Sequence, residues 1–197
     1  CATQPTLGRK SCVDCHQKEF AKFGQGKLHA PVADKKCEVC HNPHGLVGAL
    51  NLKSNDAGLC YGCHDKDKKI LEKVHLHKPL KERKCLSCHN PHSSYMAKDA
   101  KGLLRASGNE LCYQCHAKNA FIKKTVHGAV TSGCNNCHDP HSSDNPFNLI
   151  DNGNRLCMKC HDVNAQKFRA EHLDYNVNGT DCLSCHVPHS TDGEKLS

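Results

Sequence analysis

The chain has 197 residues, with 17 Cys, 17 His, no Trp, five Phe and four Tyr, and only 37% of it is hydrophobic. A chain this polar cannot build a self-sufficient aliphatic core, so another source of apolar surface is required. No run approaches the roughly 20 apolar residues of a transmembrane helix, and the formal charge of +7 raises the question of nucleic-acid binding.

In chain order, residues 1–8 read as a polar tether beginning on Cys1, which belongs to none of the pairs that follow. Residues 9–56 carry Cys12/Cys15/His16 and Cys37/Cys40/His41, and residues 57–109 carry Cys60/Cys63/His64 and Cys85/Cys88/His89. Residues 110–154 carry Cys112/Cys115/His116 and Cys134/Cys137/His138, and residues 155–197 carry Cys157/Cys160/His161 and Cys182/Cys185/His186. This spacing describes a single elongated domain of four tandem units. Polar links such as Ser54-Asn55-Asp56-Ala57-Gly58 and Asp151-Asn152-Gly153-Asn154 read as loops. The expected fold class is mainly irregular coil with short α-helices and little or no β-sheet, wrapped around a cofactor stack.

Each pair is C-x-x-C-H, the attachment motif of c-type haem. Two thiols bond to the vinyl groups on one porphyrin edge, and the adjacent imidazole is held under the iron. Zinc ribbons, disulfides and thioredoxin-like redox pairs also use paired cysteines, but none requires His after every second Cys. The expected cofactors are therefore eight covalent haems. Their Cys pairs are the thioether sites, and His16, His41, His64, His89, His116, His138, His161 and His186 are the proximal ligands.

Nine further histidines remain: His29, His44, His75, His77, His92, His127, His141, His172 and His189. Eight irons need eight sixth ligands, so bis-His coordination leaves one spare. Every even-numbered motif continues as C-H-x-P-H, ending at His44, His92, His141 and His189. Pro restricts the turn. The second His is too close to the first to reach the far face of the same haem, so it is expected on a neighbouring iron. The odd-numbered motifs lead instead to His29, His75, His127 and His172, and short amphipathic helices are expected around Ile70-Leu71 and Phe121-Ile122. Aligning Lys73-Val74-His75 with Thr125-Val126-His127 selects His75 and leaves His77 spare. Counting back from the following Cys matches His77 with His29 instead. With His in surplus, Met96 and Met158 read as packing residues.

The phrases LCYGCH and CLSCHNPHSS resemble the paired-motif multihaem cytochromes c over nearly the whole chain. The resemblance implies electron transfer in bacterial anaerobic respiration, without substrate chemistry. It extends to octahaem subunits of porin–cytochrome conduits and to cytochromes that polymerise into extracellular nanowires, and nothing in the sequence separates the two. The implied partners are redox cytochromes, together with an outer-membrane porin or further copies of the chain. The implied location is extracytoplasmic, with Cys1 lipidated at the outer membrane; a free thiol is the plain alternative for Cys1.

Sixteen haem propionates would outweigh the formal +7. The Lys and Arg residues thus read as propionate partners rather than a nucleic-acid surface. Bis-His ligation implies low potentials, since Met ligation is what raises them. A multihaem reductase is the alternative class. It needs an open iron position, which a surplus of sixth ligands argues against.

Overall fold

The computed structural model describes residues 11–24, 26–43, 52–54, 56–94 and 101–197. Cys1, His44 and Met96 lie outside the described residues. The described chain is mostly coil, with short helices and a few two-residue antiparallel strands, as its composition leads one to expect.

The α-helices are α1 (Cys12–Cys15), α2 (Gln17–Phe23), α3 (Ala30–Ala33), α4 (Asp56–Tyr61), α5 (Lys78–Lys81), α6 (Gly108–Tyr113), α7 (Gly128–Ser132), α8 (Gly153–Cys157) and α9 (Gln166–Glu171). The strands are β1 (His75–Leu76), β2 (Thr125–Val126), β3 (Ser142–Ser143) and β4 (Ser190–Thr191). Among the described residues no helix is long and apolar enough to cross a membrane.

The amphipathic helices expected near Ile70 and Phe121 form instead as 3₁₀ turns, Asp65–Leu71 and Lys118–Ala120. A strand follows each turn, at β1 and β2. The reason is register with the serines after each C-H-x-P-H motif. β1 pairs with β3 (His75 with Ser143, Leu76 with Ser142), and β2 pairs with β4 (Thr125 with Thr191, Val126 with Ser190). Leu28 and Ser93 make the equivalent bridge earlier in the chain.

The chain forms two compact units, residues 1–63 with 85–107, and residues 64–84 with 108–197. In the first, Gly26 lies so close to Ser94 that a Cβ there would sit 1.9 Å from its carbonyl oxygen. In the second, Leu80 and Val130 are buried. Across both units these two are the buried hydrophobic residues among those described, while Ser93, Ser94, Ser142, Ser143 and Ser190 are also buried. A core of two aliphatic side chains and a set of serines cannot drive folding at roughly 25 cal/mol per Å² of apolar surface. The apolar material has to come from what the chain binds.

Candidate haem-binding site

The spacing of C-x-x-C-H has a direct helical explanation. Residues at i, i+3 and i+4 share one face of a helical turn. The His amide donates to the carbonyl of the first Cys at 3.0 Å in His16, 3.0 Å in His41, 2.9 Å in His116 and 3.1 Å in His161. The same bond closes the turns at His89, His138 and His186. The amide of the second Cys donates to the same carbonyl: Cys40 to Cys37 O, Cys63 to Cys60 O and Cys88 to Cys85 O, each at 3.2 Å. Cys115 bonds Cys112 O at 3.1 Å, and Cys185 bonds Cys182 O at 3.3 Å. Both thiols and the imidazole are thereby turned to one side. Three of the odd motifs and the even motifs use different turns, while Cys12 opens α1. Cys60, Cys112 and Cys157 sit in the last turns of α4, α6 and α8, whereas Cys37, Cys85, Cys134 and Cys182 each open a 3₁₀ turn.

None of the sixteen motif cysteines is buried. Cys40 and Cys88 are only half-buried, and Cys63, Cys115 and Cys185 are exposed. The physical reason lies in the job the motif sets them. A thiol that must bond a vinyl carbon of a separate macrocycle has to stand outside the chain's own packing. Cys40, Cys63, Cys88, Cys115 and Cys185 each follow two residues of a tight turn, and that turn presents them at the surface rather than inside it.

The second set of histidines lies opposite the first. In the first unit, the His41 and His92 ring centroids are 6.0 Å apart with planes 6° from parallel. In the second unit, His77 faces His116 at 6.0 Å and 16°, His127 faces His161 at 6.0 Å and 20°, and His138 faces His189 at 6.0 Å and 17°. His172 and His186 are 5.9 Å apart, with planes crossed at 72°. Every pair joins a His that follows a Cys pair to one that does not. The constant spacing has a chemical meaning: two metal–nitrogen bonds of about 2 Å, plus the two ring radii, separate the centroids by roughly 6 Å. The described residues contain no cluster of three or more His, Cys, Asp or Glu able to cage an ion. The imidazoles come in facing pairs, an arrangement that would suit a planar macrocycle held between them.

The strand register positions these rings. The amides of His29, His77 and His127 donate to the carbonyls of His92, His141 and His189, at 3.0, 2.9 and 2.9 Å. Their Nδ1–H groups donate to the carbonyls of Pro91, Pro140 and Pro188, at 3.0, 2.9 and 3.2 Å. This fixes the tautomer that leaves Nε2 as the Lewis base. The register makes His77, not His75, the counterpart of His29 and His127, because His75 aligns with Thr125. Matching the tripeptides misses the pairing partner two residues on, whereas the count back from the following Cys agrees with the register. His77 also begins the same local sequence of events as His29: each caps a short helix, and Lys35 and Arg83, six residues further on, both take a positive φ.

Rings that directly follow a Cys pair are oriented in the same way. The Nδ1–H groups of His89, His138 and His186 donate to the carbonyls of Gly102 (2.5 Å), Phe147 (2.8 Å) and Leu196 (3.2 Å). His64 is different, since its Nδ1–H meets the Asp67 carboxylate at 3.0 Å. Burial lowers the pKa of His92, helped by His41 and His29, and lowers that of His189, helped by His138 and His127. Both imidazoles therefore favour the neutral, metal-binding form. Phe23 stacks on His92 at 4.4 Å, and Phe121 stands edge-on to His189 at 5.2 Å.

Neighbouring sites lie close together. Partial burial raises the Cys37 thiol pKa, with Cys12 the next cause. Burial also raises Cys137, with Cys160 adding to it, and Cys157, with Cys182 adding to it. Consecutive attachment sites thus share an environment. Two asparagines that the motif search did not single out tie such sites together. Asn109 on α6 donates to Val130 O (2.6 Å) and accepts from the Cys134 amide (2.8 Å). Asn154 on α8 donates to Thr180 O (2.5 Å) and accepts from the Cys182 amide (3.0 Å). The recurrence of Gly-Asn-x-Leu-Cys at Gly108–Cys112 and Gly153–Cys157 was the available signal.

Tyr113 bears on the fit of haem. Its hydroxyl is buried and has no hydrogen-bond partner among the described residues. It directly follows Cys112, and Lys118 Nζ lies 5.1 Å over its ring. A buried donor beside a cation suits a propionate.

Coil held by paired C-x-x-C-H turns, with imidazoles facing each other at iron-spanning distance, defines a multihaem c-type cytochrome. Comparison with known families matches residues 29–69, 77–121 and 127–166 to the family described as the doubled CXXCH motif. These segments cover well over half of the chain, which belongs to that family. They begin at His29, His77 and His127, in agreement with the strand register. No curated protein matches the chain.

Proposed function

We propose that the chain is an octahaem electron carrier whose haems are bis-His ligated, and that it passes electrons along closely packed sites without transforming a substrate. The observation that carries this reading is the set of five facing imidazole pairs spaced 5.9 to 6.0 Å apart. One-electron chemistry is supplied by the iron of each haem when bound. The chain's residues do the rest. The Cys pairs would bind each haem covalently, and His41, His116, His138, His161 and His186 would hold its iron from one side. His92, His77, His189, His127 and His172, in that order, would hold it from the other.

An iron held by two imidazoles would offer oxygen, nitrite or hydroxylamine no place to bind, which favours transfer over reduction of a substrate. The β2–β4 register serves two sites at once, since His127 faces His161 while His189 faces His138. Two neighbouring sites are thereby locked to one backbone ladder, and their separation cannot drift.

The setting we infer is extracytoplasmic, on a route that carries respiratory electrons to or beyond the outer membrane, with redox cytochromes and a porin as partners. An optical redox titration with haem quantification tests the function. Eight haems per chain, low-spin in both states and titrating at low potential, support it. Haems of only high potential, or a five-coordinate iron in the native protein, would contradict it. Recovery of filaments rather than a porin complex from native membranes would redirect the partner assignment.

A further inference from the structure

The pair formed by His172 and His186 differs from the other four described pairs in ring orientation, and His172 differs from His77 and His127 in the element that carries it and in hydrogen bonding. In four pairs the planes lie within 20° of parallel; here they are crossed at 72°. His29, His77 and His127 reach their positions from extended segments and donate Nδ1–H to a proline carbonyl. His172 instead caps the C-terminus of α9. Its Nδ1–H donates to the carbonyl of Phe168 at 2.8 Å, and its ring stacks on the Phe168 ring at 4.2 Å and 20°. The i,i+4 relation on α9 places the two rings on one helix face.

The backbone then reverses. Leu173 and Asp174 both take positive φ (52° and 55°), an arrangement that costs non-glycine residues and persists where surrounding contacts enforce it. Those contacts are Asp174 N–H to Arg169 O at 2.8 Å and Tyr175 N–H to His172 O at 2.9 Å. The turn reverses the backbone directly after His172, and the ring itself is held by Phe168.

We propose that Phe168 is a positioning residue that holds His172 crosswise to His186, making the haem at Cys182 and Cys185 electronically distinct from the parallel-ligated haems before it. The proposal rests on the bis-His reading. Parallel axial imidazoles split the two iron d orbitals that bond out of the ring plane, and the ferric ion gives a rhombic low-spin signal. Crossed imidazoles leave those orbitals nearly degenerate, and the signal becomes strongly anisotropic, with one large g value. The last site therefore carries its own spectroscopic label.

Electron paramagnetic resonance of the fully oxidised holoprotein tests this. The expected spectrum contains rhombic low-spin signals and a large-g low-spin signal. His172→Met should abolish the large-g signal and raise the potential of one haem, because a thioether replaces an imidazole. Phe168→Leu should move intensity from the large-g signal to rhombic signals while the optical spectrum stays low-spin. Phe168→Tyr, which keeps the stack, should restore it. Absence of a large-g signal, or its survival in His172→Met, would overturn the proposal and leave the bis-His reading intact. High-spin signals in the unmodified holoprotein would instead overturn the bis-His reading beneath it.

Discussion

Two ways of delivering a far ligand coexist in the second unit. His127 is delivered by a strand: β2 pairs with β4, the amide of His127 bonds His189 O, and Nδ1–H bonds Pro188 O. His172 is delivered by a helix end and braced by Phe168. The strand clamp ties two sites to one ladder and keeps ring planes parallel. The helix end serves a single site and crosses them. The difference teaches that ring orientation follows from the secondary structure that carries the ligand, since both rings meet their partners at nearly the same distance, 6.0 and 5.9 Å.

The largest expected effect comes from removing a clamped ligand. His77→Ala should convert one haem to a five-coordinate, high-spin state, visible optically and by magnetic resonance. His75→Ala, two residues away, should leave every haem low-spin. This pair of variants breaks the comparison at its base, because it asks whether strand register selects the ligand. Removal of a bridge between sites comes next. Asn154→Ala deletes bonds to Thr180 O and the Cys182 amide, leaves two half-buried backbone groups unpaired and should cost about 1 kcal/mol in denaturant unfolding. It sharpens the comparison by loosening the helix-fed site and sparing the strand-fed ones.

Gly153→Ala should cost roughly 1–2 kcal/mol by the same measurement, since Gly153 opens α8 with φ +49°. Asp67→Asn should leave stability nearly unchanged. Loss of the carboxylate acceptor on His64 Nδ1 makes the imidazole a weaker donor, and the potential of that haem alone should rise in a redox titration. The smallest effect is expected at the surface beside the clamp. Lys124→Ala removes a 2.5 Å ion pair to Glu194 between exposed side chains, and should not resolvably change the unfolding midpoint at moderate salt.

Much of the candidate site was legible because covalent attachment demands a rigid local pattern. The Cys pairs and their adjacent His follow from one helical turn, and the scarcity of apolar residues announced a cofactor-built core. The far ligands were legible as a set but not as pairs. His92 and His41 are brought together by chain folding, and no local spacing encodes that. The choice of His77 over His75 depended on a two-residue strand too short to leave an alternating pattern. The paired serines after C-H-x-P-H were the visible trace of that strand, since small side chains let the backbones approach. Phe168 was invisible as a positioning group, because an aromatic four residues before a His on a helix reads as ordinary packing.

The most direct test of the central claim, that the facing imidazoles are axial ligand pairs, is an experimental structure of the haem-loaded chain. It should show the iron of the haem at Cys157 and Cys160 held between His161 and His127, and that of the haem at Cys112 and Cys115 between His116 and His77. An iron at either site ligated by His75, by a methionine or by no second side chain would contradict the account.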